Sequence, residues 1–382
     1  MTGNRFREEL SVLKESYLYR RRKVISDIAD FPYIGINNRK LLNFGSNNYL
    51  GLGREVTEFI LEQIEKTGMV QQASPLITGY TMYHEQLENK LAELKQLPSA
   101  LLFSSGFMAN LGLITALVEE QDLLVIDKLC HASIMECTKY KSISFRVFPH
   151  RNYDYLRDIL SKSKNKYRNI YLATDTLFSM EGDKANLELM LQIAGEYDAY
   201  LICDDAHATG VYGVCGAGLT VRSKINKYPK LIVTGSLSKA LQSYGGYIVG
   251  QKEITDYLVN KCRPYIYNTA LPLIHVLGAT HVLDVLNKKN IQQKLWQNIC
   301  CLAENLAWLK RPEYSPIIPV KIGDNEKVLA LGKFLEDRGF YVPAIRYPTV
   351  PKKDALLRIS VSAAHEKKQL ISLADSLRLY FE

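Results

Sequence analysis

The stretch 234–250, "TGSLSKALQSYGGYIVG", continues an apolar run into small residues and hydroxyls around a single lysine, Lys239, and then a glycine pair. Short apolar runs that enter and leave a turn of this kind predict two strands of one sheet, with Lys239 delivered at a strand end. Three readings of that lysine compete: a surface lysine, the lysine of an S-x-x-K acyl serine enzyme, or a lysine that holds a cofactor.

Similar runs recur toward the amino terminus: "LLVID" at 123, "NIYLATD" at 169, "AYLICDDAH" at 199 and "KLIVTGS" at 230, followed by "GGYIVG" at 245. Bounded by polar turns and separated by helical patterns, they predict strands buried on both faces of a mostly parallel sheet. The fold class is therefore α/β, and ligands are expected at the carboxyl ends of the strands. Past "YNTALP" (267–272) a helical pattern covers 275–309. Strand "SPIIPVKIG", helix "NEKVLALGKFLEDRG", strand "FYVPAI", strand "LLRISVSAA" and helix "EKKQLISLADSLRLYF" then follow. The expected organisation is an amino-terminal arm (1–45), a large domain (46–270) and a small carboxyl-terminal domain (271–382).

Composition narrows the function. With 382 residues, 47% apolar and 23% charged, the chain is long enough for a large core and has the make-up of a soluble globular protein. Its net charge of +8 is dispersed except for "RRRK" at 20–23, a run suited either to a solvated helix end or to an anionic substrate. No aromatic-basic module accompanies it, so nucleic acid is not an expected partner. The longest apolar tract, "ALLFSSGFMANLGLITALV" at 100–118, is interrupted by serines, glycines and an asparagine. It predicts a buried helix, and no membrane association is expected. The first residues, "MTGNRFREELSVLK", alternate in charge and do not form a signal peptide. Seven cysteines without a C-x-x-C pair read as reduced thiols in a cytoplasm, and no cysteine–histidine set has metal-ligand spacing.

Polar groups fall where strands end. "LICDDAHATG" places Asp204 and His207, "ATDTLFSMEGD" places Ser179, and "VTGSLSK" places Ser236 and Lys239. A carboxylate at a strand end is often a helix cap, and an isolated histidine is often a satisfied core residue. Several such groups at the ends of different strands of one sheet converge on one crevice. An aspartate that keeps a pyridine nitrogen protonated, a lysine amine that captures an aldehyde, and hydroxyls and backbone N–H groups for a phosphate together describe a pyridoxal phosphate site. The rivals fare worse. Ser236 to Lys239 match S-x-x-K, but the only K-T-G, at 66–68, precedes rather than follows it, and S-D-N is absent. The glycines of "GVYGVCGAG" have the wrong spacing for a nicotinamide fingerprint.

The set "NFGSNNYLGL" (43–52), "FSSGFMAN" (103–110), "DKLCHAS" (127–133), "FSMEGD" (178–183), "CDDAHATG" (203–210) and "GSLSKA" (235–240) resembles the α-oxoamine synthases over nearly the whole chain. These are fold-type I pyridoxal phosphate transferases with a large domain around a seven-stranded, mostly parallel sheet and a small α/β domain. They join an amino acid to an acyl thioester with loss of carbon dioxide. The last lobe, "AIRYPTVPKKDALLRISVSAAH" (344–365), most resembles the member that condenses L-alanine with a pimeloyl thioester carried by coenzyme A or an acyl carrier protein. The resemblance implies that Lys239 is the Schiff-base lysine and general base, and that Asp204 partners the pyridine nitrogen. It places Ser179 and His207 at the phenolic oxygen and His131 on the ring face, where it also positions the acyl group. Gly106 and Phe107 would bind the phosphate with Ser236. Arg358 and Asn47 would hold the amino acid carboxylate. Thr349 and an arginine of the 20–22 run would touch substrate: Arg20 by pattern, Arg21 by counting back from "NFGSNNYLGL". A homodimer is implied too, with Thr269 reaching the partner's phosphate.

One departure bears on specificity. Where the family has a glycine-rich stretch ending in a hydroxyl residue and arginine, this chain reads "VQQASPLITGY", keeping Ser74 but with Pro75 in place of the arginine. Acyl-chain preference therefore stays open. Three alternatives remain: a sibling synthase using glycine or another acyl group, an aminotransferase, and a cofactor fold without catalysis.

Overall fold

The computed structural model describes residues 2–68, 73–140, 142–288, 290–309 and 313–382. Val70, Gln71 and Gln72 of the altered loop lie outside the described residues. The chain forms two compact units: Met1–Gly51 with Met180–Gly182 and Gln293–Glu382, and Leu52–Ser179 with Asp183–Gln292.

The first unit begins with a helix, Thr2–Glu15, and an antiparallel meander of β1 (Ile25–Ser26), β2 (Tyr33–Ile36) and β3 (Arg39–Asn43). Ile34, Ile36 and Leu41 bury its inner face. The stretch expected to be an arm is thus partly sheet.

The second unit holds the sheet expected from the apolar runs. Its strands are β4 (Ser99–Phe103), β5 (Leu123–Asp127), β6 (Ser144–Phe148), β7 (Ile170–Asp175), β8 (Tyr200–Asp204), β9 (Leu231–Ser236) and β10 (Gly246–Gly250). The order is β4-β10-β9-β8-β7-β5-β6, with β10 antiparallel to both neighbours and the remaining pairs parallel. Every residue of β5, β7, β9 and β10 is buried, as strands covered on both faces require.

The tract at 100–118 divides differently from expectation. Its first residues belong to β4, and the helix begins only at Gly106, running to Leu117 with Ser105 as its N-cap. Ser105 Oγ accepts from Met108 N at 3.1 Å, the standard helix-start contact for a serine. Leu113 and Ile114 of this helix are fully buried against Leu101, Phe103 and Ile134, each burial contributing about 1.5–3 kcal/mol. Gly112 permits the approach, since a Cβ there would lie 2.7 Å from Cys262 Sγ. The helical stretch expected over 275–309 is two helices, Leu273–Lys288 and Ile291–Asn305.

The first unit is completed by β11 (Ile317–Gly323), β12 (Phe340–Tyr341), β13 (Ala344–Ile345) and β14 (Ala355–Ser360), with helices Asn325–Asp337 and Lys367–Phe381. The expected strand "FYVPAI" breaks in two. β12 pairs in parallel with β3, whereas β13 joins the antiparallel sheet β11-β14-β13. Pro343 lies at the break, where its missing N–H could not continue a ladder.

His365 anchors this unit. Its Nδ1 accepts from Ser362 N at 3.0 Å, Nε2 donates to Asn43 O at 3.1 Å, and the ring stacks on Phe44 at 4.2 Å. Burial pushes its pKa down to about 4, only partly opposed by the bond to Asn43. The neutral ring is therefore the folded form. Its stabilisation is complete above the unfolded histidine pKa of about 6.5 and is lost as pH falls toward 4, at a cost of about 3 kcal/mol. The urea midpoint is expected to fall over that window, and to fall less in His365→Gln; equal slopes would refute the assignment.

Candidate active site

The carboxyl ends of β7, β8 and β9 and the start of the Gly106–Leu117 helix surround a cavity of about 180 Å³ within the second unit. Among its lining residues are Gly106, Phe107, His131, Asp204, His207, Ser236 and Lys239. Ser179 is not one of them; it follows Leu177, which is, by two residues.

Asp204 closes β8 and is 8% exposed. Its Oδ1 accepts from Ala206 N at 3.0 Å and its Oδ2 from Asn110 Nδ2 at 2.7 Å, so the carboxylate is held on both oxygens. Asn110 sits one turn into the helix that Gly106 begins, and its Nδ2 also donates to Ser133 Oγ at 2.9 Å. Ser133 Oγ lies 2.7 Å from His131 Nδ1, and that nitrogen also accepts from Ser133 N at 3.3 Å. With Nδ1 an acceptor, the ring proton resides on Nε2. Burial lowers the His131 pKa; the Asp204 charge opposes this and the Lys239 charge adds to it. A neutral imidazole with one N–H thus borders the cavity.

Sequence reasoning passed over Asn110, Ser133 and Asp175. Asp175 ends β7, lines the cavity, and accepts from His131 N at 3.0 Å. Burial, then the nearby Asp204 charge, raises its pKa well above the usual carboxylate range. Its place at the end of "NIYLATD" was the available signal. Asn110 and Ser133 carry no comparable mark, because only the folded helix and turn bring them to Asp204 and His131.

At the other end, Ser236 Oγ lies 2.7 Å from Ser238 Oγ and accepts from Ser238 N at 3.1 Å. The glycines here admit backbone rather than side chains. A Cβ on Gly246 would lie 2.3 Å from Ser105 C and O, and one on Gly106 would lie 3.3 Å from Gly235 O and Ser236 Cβ. Reversed β10 therefore starts, at Gly246, against the helix start. Free N–H groups of the first helical turn, beside two hydroxyls, suit a phosphate dianion. An amine, a fixed carboxylate and an imidazole complete a donor set that fits pyridoxal phosphate.

The substrate candidates lie in the first unit. Arg358, 4% exposed, donates from Nη1 to Asn47 Oδ1 at 3.0 Å and to Ser360 Oγ at 2.8 Å, which brings Arg358 and Asn47 together. Arg20 is exposed and donates from Nη2 to Tyr347 O at 2.7 Å. Arg21 instead lines a cavity of about 790 Å³ with Arg346, over an apolar floor that includes Ile25, Ile34, Leu329 and Val342. Thr349 is exposed and is not among that cavity's lining residues. Among the described residues no group of histidine, cysteine and carboxylate side chains could hold a metal ion, and no helix is long and apolar enough to cross a membrane.

Residues 39–377 match the family described as aminotransferase class I and II. The 8-amino-7-oxononanoate synthase of Thermoanaerobacter pseudethanolicus is 36% identical over 95% of this chain and 93% of its own. A protein of Aquifex aeolicus, to which the same name is given provisionally, is 39% identical over 97% of this chain and 96% of its own. Among solved structures, a lysine-to-alanine variant of the serine palmitoyltransferase from S. paucimobilis with a bound PLP–myriocin aldimine superposes with a TM-score of 0.89 at 26% identity, covering 98% of this chain and 97% of that one. The 8-amino-7-oxononanoate synthase of Francisella tularensis superposes with a TM-score of 0.73 at 26% identity, covering 90% and 99%.

Proposed function

Because the chain belongs to the aminotransferase class I and II family, and within it to the α-oxoamine synthases, which are pyridoxal phosphate-dependent acyltransferases, we propose that it condenses L-alanine with a pimeloyl thioester. The products are 8-amino-7-oxononanoate, carbon dioxide and the free thiol carrier, a step of biotin biosynthesis. The observation that carries this reading is identity of 36–39% along almost the entire chain to proteins named for that activity.

When bound, pyridoxal phosphate supplies an aldehyde for amines and a ring that withdraws electrons from the amino acid α-carbon. Gly106 and Phe107 N–H groups and the Ser236 hydroxyl would hold its phosphate, and Ser179 and His207 would serve its phenolic oxygen. Asp204, fixed by Asn110 and Ala206, would hold a proton on the ring nitrogen. Lys239 Nζ would hold the aldehyde until the amine of the incoming amino acid replaces it there, and the freed lysine amine would take the α-proton and later return a proton to the same carbon. His131, neutral and protonated at Nε2, donates to the acyl carbonyl oxygen as negative charge develops there. Arg358 and Asn47 receive the amino acid carboxylate.

For the acyl chain this reading favours Arg21 over Arg20. Arg20 is engaged with a backbone carbonyl, whereas Arg21 borders a cavity with an apolar floor. A homodimer in the cytoplasm belongs to the same reading. Phe6, Leu10 and Leu13 stay exposed on one helix, Leu76, Ile77 and Tyr267 stay exposed on the second unit, and all seven cysteines are free thiols.

Thiol release measured with L-alanine, glycine and L-serine against pimeloyl, acetyl and palmitoyl thioesters tests the substrates. Alanine with the pimeloyl thioester is expected to give the highest kcat/KM, and Arg21→Ala to raise the KM for that thioester about tenfold with little change in kcat. A preference for serine and the long acyl chain would instead place the chain beside the serine palmitoyltransferase neighbours.

A further inference from the structure

His150 lies just past β6, outside the crevice, between the carboxylates of Asp127, the last residue of β5, and Asp183. Its Nδ1 is 3.0 Å from Asp127 Oδ1 and its Nε2 is 3.0 Å from Asp183 Oδ2. Both ring nitrogens face acceptors, a setting that only the doubly protonated imidazolium satisfies. Phe178 meets the ring edge-to-face at 4.3 Å. Burial alone would lower its pKa, but the bonds to Asp127 and Asp183, and then their charges, raise it to about 9. The other charged and titratable groups nearby are Arg151, whose Nη1 donates to Asp183 Oδ2 at 3.0 Å, and the Tyr153 phenol, which accepts from Asn186 N at 2.7 Å.

Asp127 and Asp183 also shape the turns around them, Asp127 through its carboxylate and Asp183 through its main chain. Asp127 Oδ1 accepts from Leu129 N at 2.9 Å, Oδ2 accepts from Arg151 N at 3.1 Å, and its carbonyl accepts from Cys130 N at 3.0 Å; this shapes the turn that delivers His131. The Asp183 carbonyl accepts from Phe178 N at 2.9 Å and closes the loop that carries Ser179. We propose that protonated His150 is a positioning residue that ties the His131 turn, at the cavity wall, to the loop that carries Ser179 and so sets the spacing of the two. This rests on the reading of His131 and Ser179 as cofactor neighbours, and not on which amino acid or acyl thioester is used.

The test is a titration of the apoenzyme with pyridoxal phosphate, with no substrate present, at a series of pH values from 7 upward. Binding is followed by tryptophan fluorescence and the visible cofactor band. The wild-type Kd is expected to rise once pH passes about 9, where the strut loses its charge. His150→Phe keeps a flat ring but no N–H. It is expected to bind about tenfold more weakly at pH 7, the scale of one lost charged hydrogen bond, and to lack the part of the alkaline rise that the wild type shows. His150→Gln, with amide N–H donors, is expected to fall between, and it carries the same comparison should His150→Phe not fold. Imidazole added to His150→Gly is expected to restore affinity. A lowered Tm with the wild-type Kd and pH profile retained would overturn the proposal. Because no substrate enters, failure here is distinct from failure of the alanine and pimeloyl reading.

Discussion

Lys239→Ala is expected to turn over about 10⁴-fold more slowly than the wild type or worse, because one substitution removes both the anchoring amine and the proton-transfer base. The visible band of lysine-bound cofactor is expected to disappear from the same variant. Pyridoxal phosphate should still bind, since Gly106, Phe107 and Ser236, the cavity-lining residues proposed to hold its phosphate, are untouched. Steady-state thiol release and an absorbance spectrum are sufficient measurements. Turnover within tenfold of the wild type would remove Lys239 from the chemistry.

The second large effect is on stability. Lys95 is fully buried, and its Nζ donates to Asp205 Oδ2 at 2.6 Å, Thr209 Oγ1 at 2.7 Å and Ala217 O at 2.8 Å. Burial favours the neutral amine, but the charge of Asp205, followed by Tyr247, raises the Lys95 pKa above the ordinary lysine value. Gly218 seals the pair, since a Cβ there would sit 1.8 Å from Asp205 Oδ2. Lys95→Met leaves Asp205 as an uncompensated buried charge, and a loss of about 3–5 kcal/mol in unfolding free energy is expected. Lys95→Met combined with Asp205→Asn removes the orphan and should recover a substantial part of that loss. If the two substitutions simply add, the ion-pair account fails. Asp205 directly follows Asp204, the last residue of β8, so the pair also underpins the residue proposed to serve the ring nitrogen.

The parts of this structure legible in the sequence are those in which a residue's chemistry and its local pattern agree. β5, β7, β8, β9 and β10 could be read because burial on both faces leaves continuous apolar runs. β6 could not, because as an edge strand it exposes Phe145 and Arg146 and keeps no such signature. β4 was hidden by its own apolarity, which merged with that of the helix after it. The parallel pairing of β3 with β12 joins residues about 300 positions apart through two-residue contacts, too short to mark a sequence. In the crevice, Asp204 and Lys239 were visible as strand-end polar groups, and Asp175 followed the same rule unnoticed. The Asn110 and Ser133 relay depends on helix phase and on a turn, which are properties of the fold. The choice between Arg20 and Arg21 rests on which guanidinium a backbone carbonyl already occupies, a matter that adjacent identical residues conceal.

The glycine at the start of β10 has a consequence for heredity. Where Gly246 meets Ser105 and Gly106, the anion end of the crevice is bounded by main chain, and main-chain donors are common to almost every amino acid. Most codon changes at Phe107 would alter a side chain and leave its N–H in place, so drift there would be silent toward the phosphate this site is proposed to hold. The vulnerable letter is Gly246, where any single-base change that adds a Cβ drives it into the backbone of Ser105 and Gly106. A mutational scan of the gene should therefore show intolerance at Gly246 beside tolerance at Phe107, a genetic outline of the part of the site that is built from main chain.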